Sequence, residues 1–521
     1  MYIALFLLLQ TVLGANILHI APVGSPSHHI WNRALAFGLI KKGHNVTMLS
    51  HFEEKEKFKN FHIILLEGFF DKTYEFFSID SVQPNKFLDI KTVYDLSLFS
   101  CEHDLDTQGF KTLMNYPKDF TFDLIIMDIT IQQCLYTLIE RFKNPPVVAV
   151  TPFLLPPVLS HLFGNPLQAA YMPYYNTLHI DRMSFLQRIT NFLLIHSEIL
   201  YRKYIVIPAE SKLAKKHFGK NIQSFDEIER NMSILISNYD PILCFPLALP
   251  PNIIPAGGLH IDSVKSLPNV SNKHAISYII QILQDLKTIV ENAKEGLIIF
   301  TLGSYLRSDQ MSVSKRTAIL NAFAKLPQTV FWKFESEIDD LPKNVIIRKW
   351  LPQNDILGDP KTKLLITHGG GLSTQEAMYH GIPVIAIPFN TDQHSNAGKL
   401  ASRSMAKILN YEDITTDSLY LAITEILNNP MYSRNIKQLS QRYKDREEHP
   451  LNKAVFWVEY VLRHGSANFF NLASRDMYTY QAASYDVIMV LLMGLYLLYS
   501  LISFILTSCK FIYHTVYLIS T

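Results

Sequence analysis

The sequence has little cysteine and almost no net charge, and each shortage excludes a class of protein. Only four cysteines occur in 521 residues, at Cys101, Cys134, Cys244 and Cys509, and no two of them form a C-x-x-C pair. That number excludes a disulfide framework and a cysteine-rich zinc module, so core packing must hold the fold. The 48 basic residues nearly balance the 46 acidic ones, giving a net charge of +2 with no basic stripe. A nucleic-acid partner is therefore not expected.

Several common site motifs are also missing. The chain has no G-x-S-x-G, so the run His368-Gly369-Gly370-Gly371 does not fit the oxyanion loop of a hydrolase. Neither G-x-G-x-x-G nor G-x-x-x-x-G-K-[ST] occurs, which removes the fingerprints of NAD sites and P-loops. With 48% hydrophobic and 18% charged residues, the chain is too apolar for intrinsic disorder and long enough to bury large cores.

Apolar runs at the two ends predict where the protein is located. Residues 1–15 (MYIALFLLLQTVLGA) end in small residues and are typical of a secretory signal peptide, although a buried first strand is the alternative. Residues 487–507 are uncharged, and at about 1.5 Å per residue they span about 30 Å, the thickness of a bilayer core. We expect one transmembrane helix, with residues 16–486 on the lumenal or extracellular side.

Two sequons test that topology. Asn231-Met232-Ser233 and Asn269-Val270-Ser271 fit N-x-S/T in turn-like surroundings, and they predict N-glycosylation at Asn231 and Asn269. A third triplet, at Asn45, falls in a predicted buried strand and is discounted.

The remaining pattern predicts two parallel α/β sheets. Apolar runs without alternation indicate strands covered on both faces, at residues 16–22, 45–49, 122–128, 146–150, 296–301, 329–333, 345–348, 363–367 and 383–387. An amphipathic helix is predicted over 30–42, ending at Gly43. The aromatic, proline-rich region from about 151 to 225 is predicted to be helical, either lining an apolar acceptor cavity or packing within its own domain.

These patterns divide the chain into predicted segments. They are a signal peptide (1–15), an N-terminal domain (16–255), a linker (256–274), a C-terminal domain (275–445), a helical segment (446–474), a transmembrane helix (487–507) and a tail (508–521). Because ligands bind doubly wound sheets at the carboxyl ends of the strands, the loops after the strands should hold the site.

Polar and glycine residues are concentrated in those loops in the second half of the chain. Trp350 and Gln353 follow one strand, the run Thr367 to Gly371 follows the next, and Asp392 and Gln393 follow another. The glycine turn opens a predicted helix near Leu372, whose backbone amides and dipole suit an anion, most naturally a pyrophosphate.

Together, the order and spacing of these pieces resemble the signature of the UDP-glycosyltransferase family, in its arthropod, UDP-glucuronosyltransferase-like form. The resemblance covers essentially the whole chain, and the block from Trp350 to Gln393 is highly specific. It implies the GT-B fold, with two Rossmann-like, doubly wound domains that face a cleft. The N-terminal domain would bind the acceptor and the C-terminal domain the UDP-sugar.

The resemblance also implies a role for individual residues of the donor site. Trp350 would stack on uracil, Gln353 would bind the nucleoside, Ser304, His368, Gly369, Gly370 and Gly371 would hold the diphosphate, Glu376 would bind the ribose, and Asp392 and Gln393 would bind the sugar. Simpler explanations exist for some of these residues: Ser373-x-x-Glu376 is also a capping box, Trp350 could be core, and Ser304 a turn former. Leu372 departs from the vertebrate pattern, in which Asn is usual.

Two residues of the first half match the catalytic pair of the family. His28 is predicted in the loop after the first strand, and Asp128 ends the strand at 122–128. The adjoining His29 lacks the preceding serine of the motif. An acceptor hydroxyl needs a base at pH 7, and an imidazole, with an ordinary pKa of about 6.5, can take its proton while an aspartate stabilises the resulting charge. The resemblance thus implies an inverting displacement by a His28 base.

The expected partners follow from the resemblance. They are a UDP-sugar, with UDP-glucose favoured over UDP-glucuronate, a small lipophilic acceptor, and the endoplasmic reticulum membrane. Homo- and hetero-oligomers both stay open. No Asp-x-Asp cluster precedes the predicted sugar site, so neither a metal nor a cofactor is expected. Two other classes remain: a membrane-anchored lipophile-binding protein without turnover, and another GT-B enzyme such as an epimerase.

Overall fold

The computed structural model describes residues 14–54, 56–70, 79, 85–261, 277–304 and 306–520. Most of the predicted signal peptide, most of the predicted linker at 256–274 and the sequon at Asn269 lie outside the described residues.

The described strands form two sheets in which every pairing is parallel. The first sheet contains β1 (Asn16–Ile20), β2 (Asn45–Ser50), β3 (Phe61–Leu65), β4 (Leu124–Asp128), β5 (Val147–Thr151), β6 (Ile234–Ser237) and β7 (Ile253–Pro255). The second contains β8 (Leu297–Thr301), β9 (Thr329–Lys333), β10 (Val345–Arg348), β11 (Thr362–Thr367), β12 (Val384–Ala386) and β13 (Ala406–Ile408). Both sheets are buried by helices on their two faces, as parallel sheets require.

The helices alternate with the strands and then continue alone to the carboxyl end. They are α1 (Pro26–Lys41), α2 (Lys86–Asp104), α3 (Gln108–Met114), α4 (Thr137–Arg141), α5 (Pro157–Leu162), α6 (Phe185–Tyr201), α7 (Ile207–Phe218), α8 (Phe225–Asn231), α9 (Ser277–Asn292), α10 (Val313–Ala324), α11 (Gln353–Leu357), α12 (Gly371–His380), α13 (Gln393–Ser402), α14 (Thr416–Asn428), α15 (Pro430–Lys444), α16 (Pro450–His464), α17 (Thr479–Ala482) and α18 (Tyr485–Ser520).

The strand order of each sheet reverses once, and that reversal positions the site. The first sheet runs β3-β2-β1-β4-β5-β6-β7 and the second runs β10-β9-β8-β11-β12-β13. Connections therefore leave in opposite directions between β1 and β4, and again between β8 and β11. A crevice opens at the carboxyl ends of strands at such a reversal, where open α/β sheets bind their ligands.

The nine predicted strands are confirmed within one or two residues at most ends, and the aromatic region after β5 is helical as predicted. Four further strands, β3, β6, β7 and β13, were not predicted. They have three to five residues and lie at or next to a sheet edge, so their apolar runs are too short to stand out.

Helix α1 begins four residues earlier than the predicted start at Ile30. Ser25 is the extended N-cap, and Pro26 occupies the first helical turn, where its fixed φ and missing N–H are tolerated. His28 therefore lies in the first turn of a helix, and the prediction that it lies in a loop is wrong. A helical position fixes the direction of its side chain more firmly than a loop would.

The expectation that core packing holds the fold needs one correction. Cys101 on α2 and Cys134, shortly after β4, form a disulfide across 33 residues of sequence. Two widely spaced cysteines show no motif, so only the tertiary structure reveals the pair. The bond ties α2 to the loop after β4.

The predicted helical segment at 446–474 packs on the first sheet rather than the second. Val455 and Val458 of α16 are buried in the same core cluster as Trp31 and Leu35 of α1. The imidazole Nε2 of His44 also lies 3.3 Å from Oε1 of Glu459. After the second sheet, the chain thus crosses back to the first sheet, and α16 packs against it.

Helix α18 contains the predicted transmembrane segment and extends beyond it to Ser520, through most of the predicted tail. Its most apolar window has a mean hydropathy of 2.4, and none of that window is buried against the rest of the described chain. The helix is long and apolar enough to cross a membrane.

Candidate active site

One cavity of about 510 Å³ lies where the carboxyl ends of the two sheets face each other. Residues from both halves of the chain line it. Of the residues predicted from the sequence, His28, Ser304, Trp350, Gln353, His368, Gly370, Gly371, Glu376, Asp392 and Gln393 contribute to its wall. Gly369 lies behind that wall, where its carbonyl accepts a hydrogen bond from Asn396 Nδ2 at 3.0 Å. Asp128 lies behind His28.

His28 and Asp128 meet at the reversal point of the first sheet. His28 follows β1 and Asp128 ends the adjacent β4, so imidazole Nδ1 lies 2.8 Å from carboxylate Oδ2. Both residues are buried, with 6% of His28 and 1% of Asp128 exposed. With Nδ1 donating to Asp128, the lone pair lies on Nε2, and the ring lines the cavity. This is the arrangement of an oriented general base.

Asp128 is held in its ionised form. Burial opposes its ionisation, but the adjacent His28 and hydrogen bonds from His28 and Thr130 outweigh burial, so its pKa is lowered below the usual value. Thr130 donates to Oδ1 both from Oγ1, at 2.6 Å, and from its backbone N–H, at 3.1 Å. An ionised carboxylate here stabilises a positive charge on the imidazole.

Asn32 adds support that the sequence did not reveal. It lies one turn after His28 on α1, and its Nδ2 donates to Asp128 Oδ2 at 3.0 Å. Its Oδ1 accepts from His19 Nε2 at 2.9 Å, so the amide cannot flip without losing both contacts. Burial lowers the pKa of His19 to about 4, which keeps that donor neutral.

The second sheet places a glycine turn at its own reversal point. Gly303 and Ser304 follow β8, while His368 to Gly371 follow the adjacent β11. Gly370 is the N-cap of α12 and has no side chain to satisfy the first amides of that helix, which line the cavity. Together, these amides and the helix dipole form an anion site.

His368 packs against glycines on both sides. A Cβ on Gly303 would lie 2.3 Å from His368 Cε1, and one on Gly370 would lie 2.4 Å from its Nε2. Burial lowers the pKa of His368 to about 4, and the nearby Lys333 contributes to the shift. The ring is therefore neutral at pH 7 and can serve as a hydrogen-bond donor rather than as a cation.

The remaining residues that are predicted to bind the nucleotide cluster beside the glycine turn. Trp350 is 61% exposed at the cavity wall, which rules out the interpretation that it is a core residue. Gln353 Nε2 donates to Glu376 Oε2 at 2.6 Å and to Ser373 Oγ at 3.1 Å. Since α12 is capped by Gly370, Ser373 and Glu376 lie inside the helix, and the capping-box interpretation of Glu376 is wrong.

Asp392 and Gln393 lie at the amino end of α13. A Cβ on Gly371 would lie 3.2 Å from Asp392 Oδ2, so this carboxyl borders the glycine turn. Burial raises the pKa of Asp392, and the hydrogen bond from Asn396 and the nearby Lys399 oppose the rise. The Gln393 Oε1 accepts from the backbone N–H of Phe389 at 2.8 Å. This contact stabilises the loop between β12 and α13.

The wall on the side of the first sheet is largely apolar. It is formed by α2, by the segment after β5 and by α5, which contribute residues such as Val93, Leu96, Phe153, Val158 and Leu159. The ring of Phe153 stands edge-on to His28, with centroids 5.4 Å apart. The predicted helical region therefore does line the cavity, together with α2, which the sequence pattern did not reveal.

One group of potential metal ligands has a structural role instead. Among the described residues, Cys101, Cys134 and Glu210 lie within reach of a common ion. However, the two sulfurs are joined in the disulfide, and both oxygens of Glu210 accept hydrogen bonds, from Ser97 Oγ at 2.6 Å and from the Cys134 N–H at 3.0 Å.

The family follows from comparison with known proteins. Residues 39–520 match the family described as UDP-glucoronosyl and UDP-glucosyl transferase. The chain belongs to this family. It is 34% identical over 486 residues to UDP-glycosyltransferase UGT5 of Dactylopius coccus, covering 92% of this chain and 89% of that protein. It is 32% identical to UDP-glucosyltransferase 2 of the same insect, covering 94% and 92%.

Solved structures confirm the fold of this UDP-glycosyltransferase. A UDP-glucosyltransferase from Polygonum tinctorium, in complex with 3,4-dichloroaniline, superposes with a TM-score of 0.56 at 13% identity. The match covers 86% of this chain and 99% of that one. The predicted GT-B architecture is therefore confirmed, as are the two parallel sheets of Rossmann type and the resemblance to the arthropod form.

Proposed function

We propose that this UDP-glycosyltransferase transfers a hexosyl group from a UDP-sugar to a hydroxyl of a small lipophilic acceptor, with inversion of the anomeric centre. One observation supports the proposal above all others: the oriented His28–Asp128 pair and the anion-binding glycine turn line the same cavity. A base on one side and a nucleotide site on the other are what a single displacement needs.

His28 acts as the general base in this reaction. Its Nε2 takes the proton of the acceptor hydroxyl as that oxygen attacks the anomeric carbon, and Asp128 stabilises the imidazolium through Nδ1–H. The C–O bond to UDP breaks as the new glycosidic bond forms. Because attack comes from the side opposite the leaving diphosphate, the product has the inverted configuration.

The second half of the site receives the leaving group. Negative charge grows on the diphosphate as the bond breaks, and the amides at the start of α12, the neutral His368 and Ser304 supply fixed donors for it. We propose that these donors suffice without a metal or a cofactor. Asp392, opposite His28, would bind the sugar hydroxyls, and Gln393 would hold its loop in position.

Trp350 provides a direct test of the nucleotide position. Its exposed ring at the cavity wall would stack on uracil, so Trp350→Ala should raise the KM for UDP-sugar about tenfold, because stacking on one base contributes about 1–3 kcal/mol. The kcat should change by less than about threefold, and Trp350→Phe should restore most of the affinity. Steady-state kinetics with varied UDP-sugar measure this, and an unchanged KM would place the uracil elsewhere.

Glu376 predicts how donor binding depends on pH. Burial raises the pKa of Glu376 to about 7, and Asp355 adds to the rise while Gln353 opposes it. Ribose hydroxyls donate to an ionised carboxylate, so UDP-glucose should bind up to about tenfold more tightly at about pH 8 than at about pH 6. Calorimetric titration measures this, and Glu376→Gln should make the affinity independent of pH. A pH-independent affinity in the wild type would remove Glu376 from the ribose site.

The identity of the sugar requires an assay of its own. Membranes containing the full chain should be incubated with radiolabelled UDP-glucose, UDP-galactose and UDP-glucuronate and a panel of small phenols. We expect glucosides to predominate, in keeping with the arthropod form of the family. Tight acceptor binding without transfer from any of these donors would instead favour the lipophile-binding protein.

We propose the endoplasmic reticulum membrane as the location, with both sheets on the lumenal side and α18 as a single-pass anchor. The buried disulfide between Cys101 and Cys134 favours an oxidising compartment such as that lumen. Asn231 ends α8 and is exposed, so a glycan can reach it. A shift in mass after glycosidase treatment, abolished by Asn231→Gln, would support this orientation, whereas access of a cytosolic protease to the two sheets would contradict it.

A further inference from the structure

A small cavity beside the main one contains a buried lysine. The small cavity has a volume of about 50 Å³, and Phe153, Tyr175 and Asp392 line both cavities. Lys399, on α13, also lines the small cavity and is 7% exposed. A space of this size is enough for a carboxylate group or for water.

The Lys399 ammonium forms neither an ion pair nor a hydrogen bond with any other residue that the structure describes. Asp392 is close enough to influence its charge without pairing with it, and Asp392 Oδ2 instead accepts from Asn396 Nδ2 at 2.9 Å. Arg403, a second cation close by, donates to two backbone carbonyls at 2.9 and 2.6 Å. Burying an unpaired ammonium is costly, so an anion is expected to complete this site.

The ammonium can be reached from the small cavity. Its Nζ is not enclosed by the described part of the chain, unlike Oδ1 of Asn396 one turn earlier on α13. Lys399 lies in the cavity wall, so a ligand atom in the small cavity can contact Nζ.

The walls of the small cavity associate it with the acceptor rather than with the nucleotide. Apart from Asp392 and α13, they consist of residues between 153 and 247, most of them apolar. The glycine turn lines only the main cavity. The ring of Phe153, which lines both cavities, lies 5.4 Å from that of His28. A group bound in the small cavity therefore belongs to the molecule whose hydroxyl meets the base.

We propose that Lys399 binds a carboxylate of the acceptor, so that the preferred acceptor is an apolar phenol with its hydroxyl at His28 and an anionic group in the small cavity. This inference rests on the proposed function, because it assumes that an acceptor for glycosylation occupies the main cavity. A hydrogen bond between two charged groups is stronger than one between neutral groups, and the apolar surroundings strengthen it further. Lys399 thus adds a charge requirement to a wall that is otherwise largely apolar.

Phenols with a side chain that ends in a carboxylate or a carboxamide test the proposal. The two end groups are nearly equal in size, and the spacer between the end group and the ring is lengthened by one methylene at a time. Without a cationic partner, burying the carboxylate costs far more than burying the amide. With Lys399 as its partner, the carboxylate compound should have a kcat/KM about tenfold higher at the optimal spacer length.

Two variants of Lys399 remove the charge. Lys399→Met keeps an unbranched side chain of similar length and should reverse the preference in favour of the carboxamide. If Lys399→Met fails to fold, as judged by lost UDP binding, the neutral Lys399→Gln gives the same comparison with a polar side chain. Either variant should reject the carboxylate compound, because the charge would then be buried without a counter-ion.

Lys86→Met is the matched control. Lys86, at the start of α2, is also partly buried, but its Nζ lies 3.3 Å from His394 Nε2 and it lines neither cavity. Its replacement should leave the preference for the carboxylate unchanged. A wild-type preference for the carboxamide at every spacer length, a carboxylate preference that survives in Lys399→Met, or an equal loss in Lys86→Met would each overturn the proposal.

A second source of a carboxylate is the sugar donor, because Asp392, which we assign to the sugar hydroxyls, also lines the small cavity. UDP-glucuronate and UDP-glucose should therefore be compared, with a neutral phenol as acceptor, in the wild type and in Lys399→Met. The proposal predicts the same ratio of the two kcat/KM values in both proteins. A selective loss of transfer from UDP-glucuronate in the variant would assign the ammonium to the donor and overturn the proposal.

Equilibrium dialysis separates this proposal from the proposed function. If the wild type transferred sugar to no acceptor, the proposed function would fail. Binding of the carboxylate and carboxamide phenols in the presence of UDP would still show whether Lys399 selects an anion. If transfer occurs but no preference for the carboxylate does, only the role of Lys399 fails.

Discussion

Replacement of His28 by alanine is expected to lower kcat by about 10²–10⁴-fold while leaving the Kd for UDP-glucose unchanged, because the variant loses the base but keeps the nucleotide site. Asp128→Asn should lower kcat by a comparable factor. The neutral amide can neither stabilise the imidazolium nor fix the tautomer with the lone pair on Nε2. Kinetics at saturating acceptor give kcat, and calorimetric titration gives the Kd for UDP-glucose.

The adjoining histidine provides a matched control for the first variant. His29 Nδ1 lies 3.0 Å from Ser50 Oγ, and His29 does not line the cavity. His29→Ala should therefore keep most of the wild-type kcat, although it loses a buried contact. If His28→Ala kept wild-type kcat, or if His29→Ala were the inactive variant, the assignment of the base would be wrong.

Gly303→Ala is expected to weaken the binding of UDP-sugar by about two orders of magnitude, since misplacing binding groups by about 1 Å has effects of that size. The new Cβ would lie 2.3 Å from His368 Cε1, so the imidazole and the glycine turn beside it must shift. Gly303 also has a φ of +80°, which disfavours any side chain. Calorimetric titration with UDP-glucose measures the loss.

Gly465→Ala separates backbone strain from the displacement of His368. Gly465 ends α16 with a φ of +74°, and a Cβ there would meet nothing within 4 Å. That variant should show a modest loss of stability with wild-type UDP-glucose affinity. Full affinity in Gly303→Ala, or an equal loss of affinity in Gly465→Ala, would mean that the glycine turn does not hold the diphosphate.

The sequence predicted the site best where polar or glycine residues follow directly after a buried strand. His368 to Gly371 follow β11, and Trp350 and Gln353 follow β10, so parallel order alone carries both sets of residues to one edge of the second sheet. Apolar runs of five or six residues mark the inner strands clearly. For the same reason, Asp128 at the end of β4 could be placed beside the loop after β1 without coordinates.

The supporting residues of the site could not be found in this way. Asn32 positions Asp128 from a helix, and its role depends on a contact across 96 residues of sequence. A polar residue within an amphipathic helix pattern is typical of an exposed face, so the sequence gives no sign of this role.

Local chemistry also explains where the predictions were wrong. A proline usually indicates a break, and Pro26 suggested a loop around His28, although proline in the first turn of a helix is favourable. Ser373-x-x-Glu376 has the spacing of a capping box, but Gly370 begins the helix earlier and places both residues within it. In each case the position of the helix start, which sequence patterns define poorly, decided the outcome.

The anomeric configuration of the product tests the central claim most directly. The claim is that His28 on one wall activates an acceptor opposite a UDP-sugar held on the other, so that transfer is a single displacement. UDP-glucose, an α-linked donor, and a simple phenol should be incubated with the full chain in membranes, and the glycoside should be examined by proton NMR. The account predicts a β-glucoside formed by the wild type and not by His28→Ala. An α-glucoside, or a β-glucoside formed equally well without His28, would contradict it.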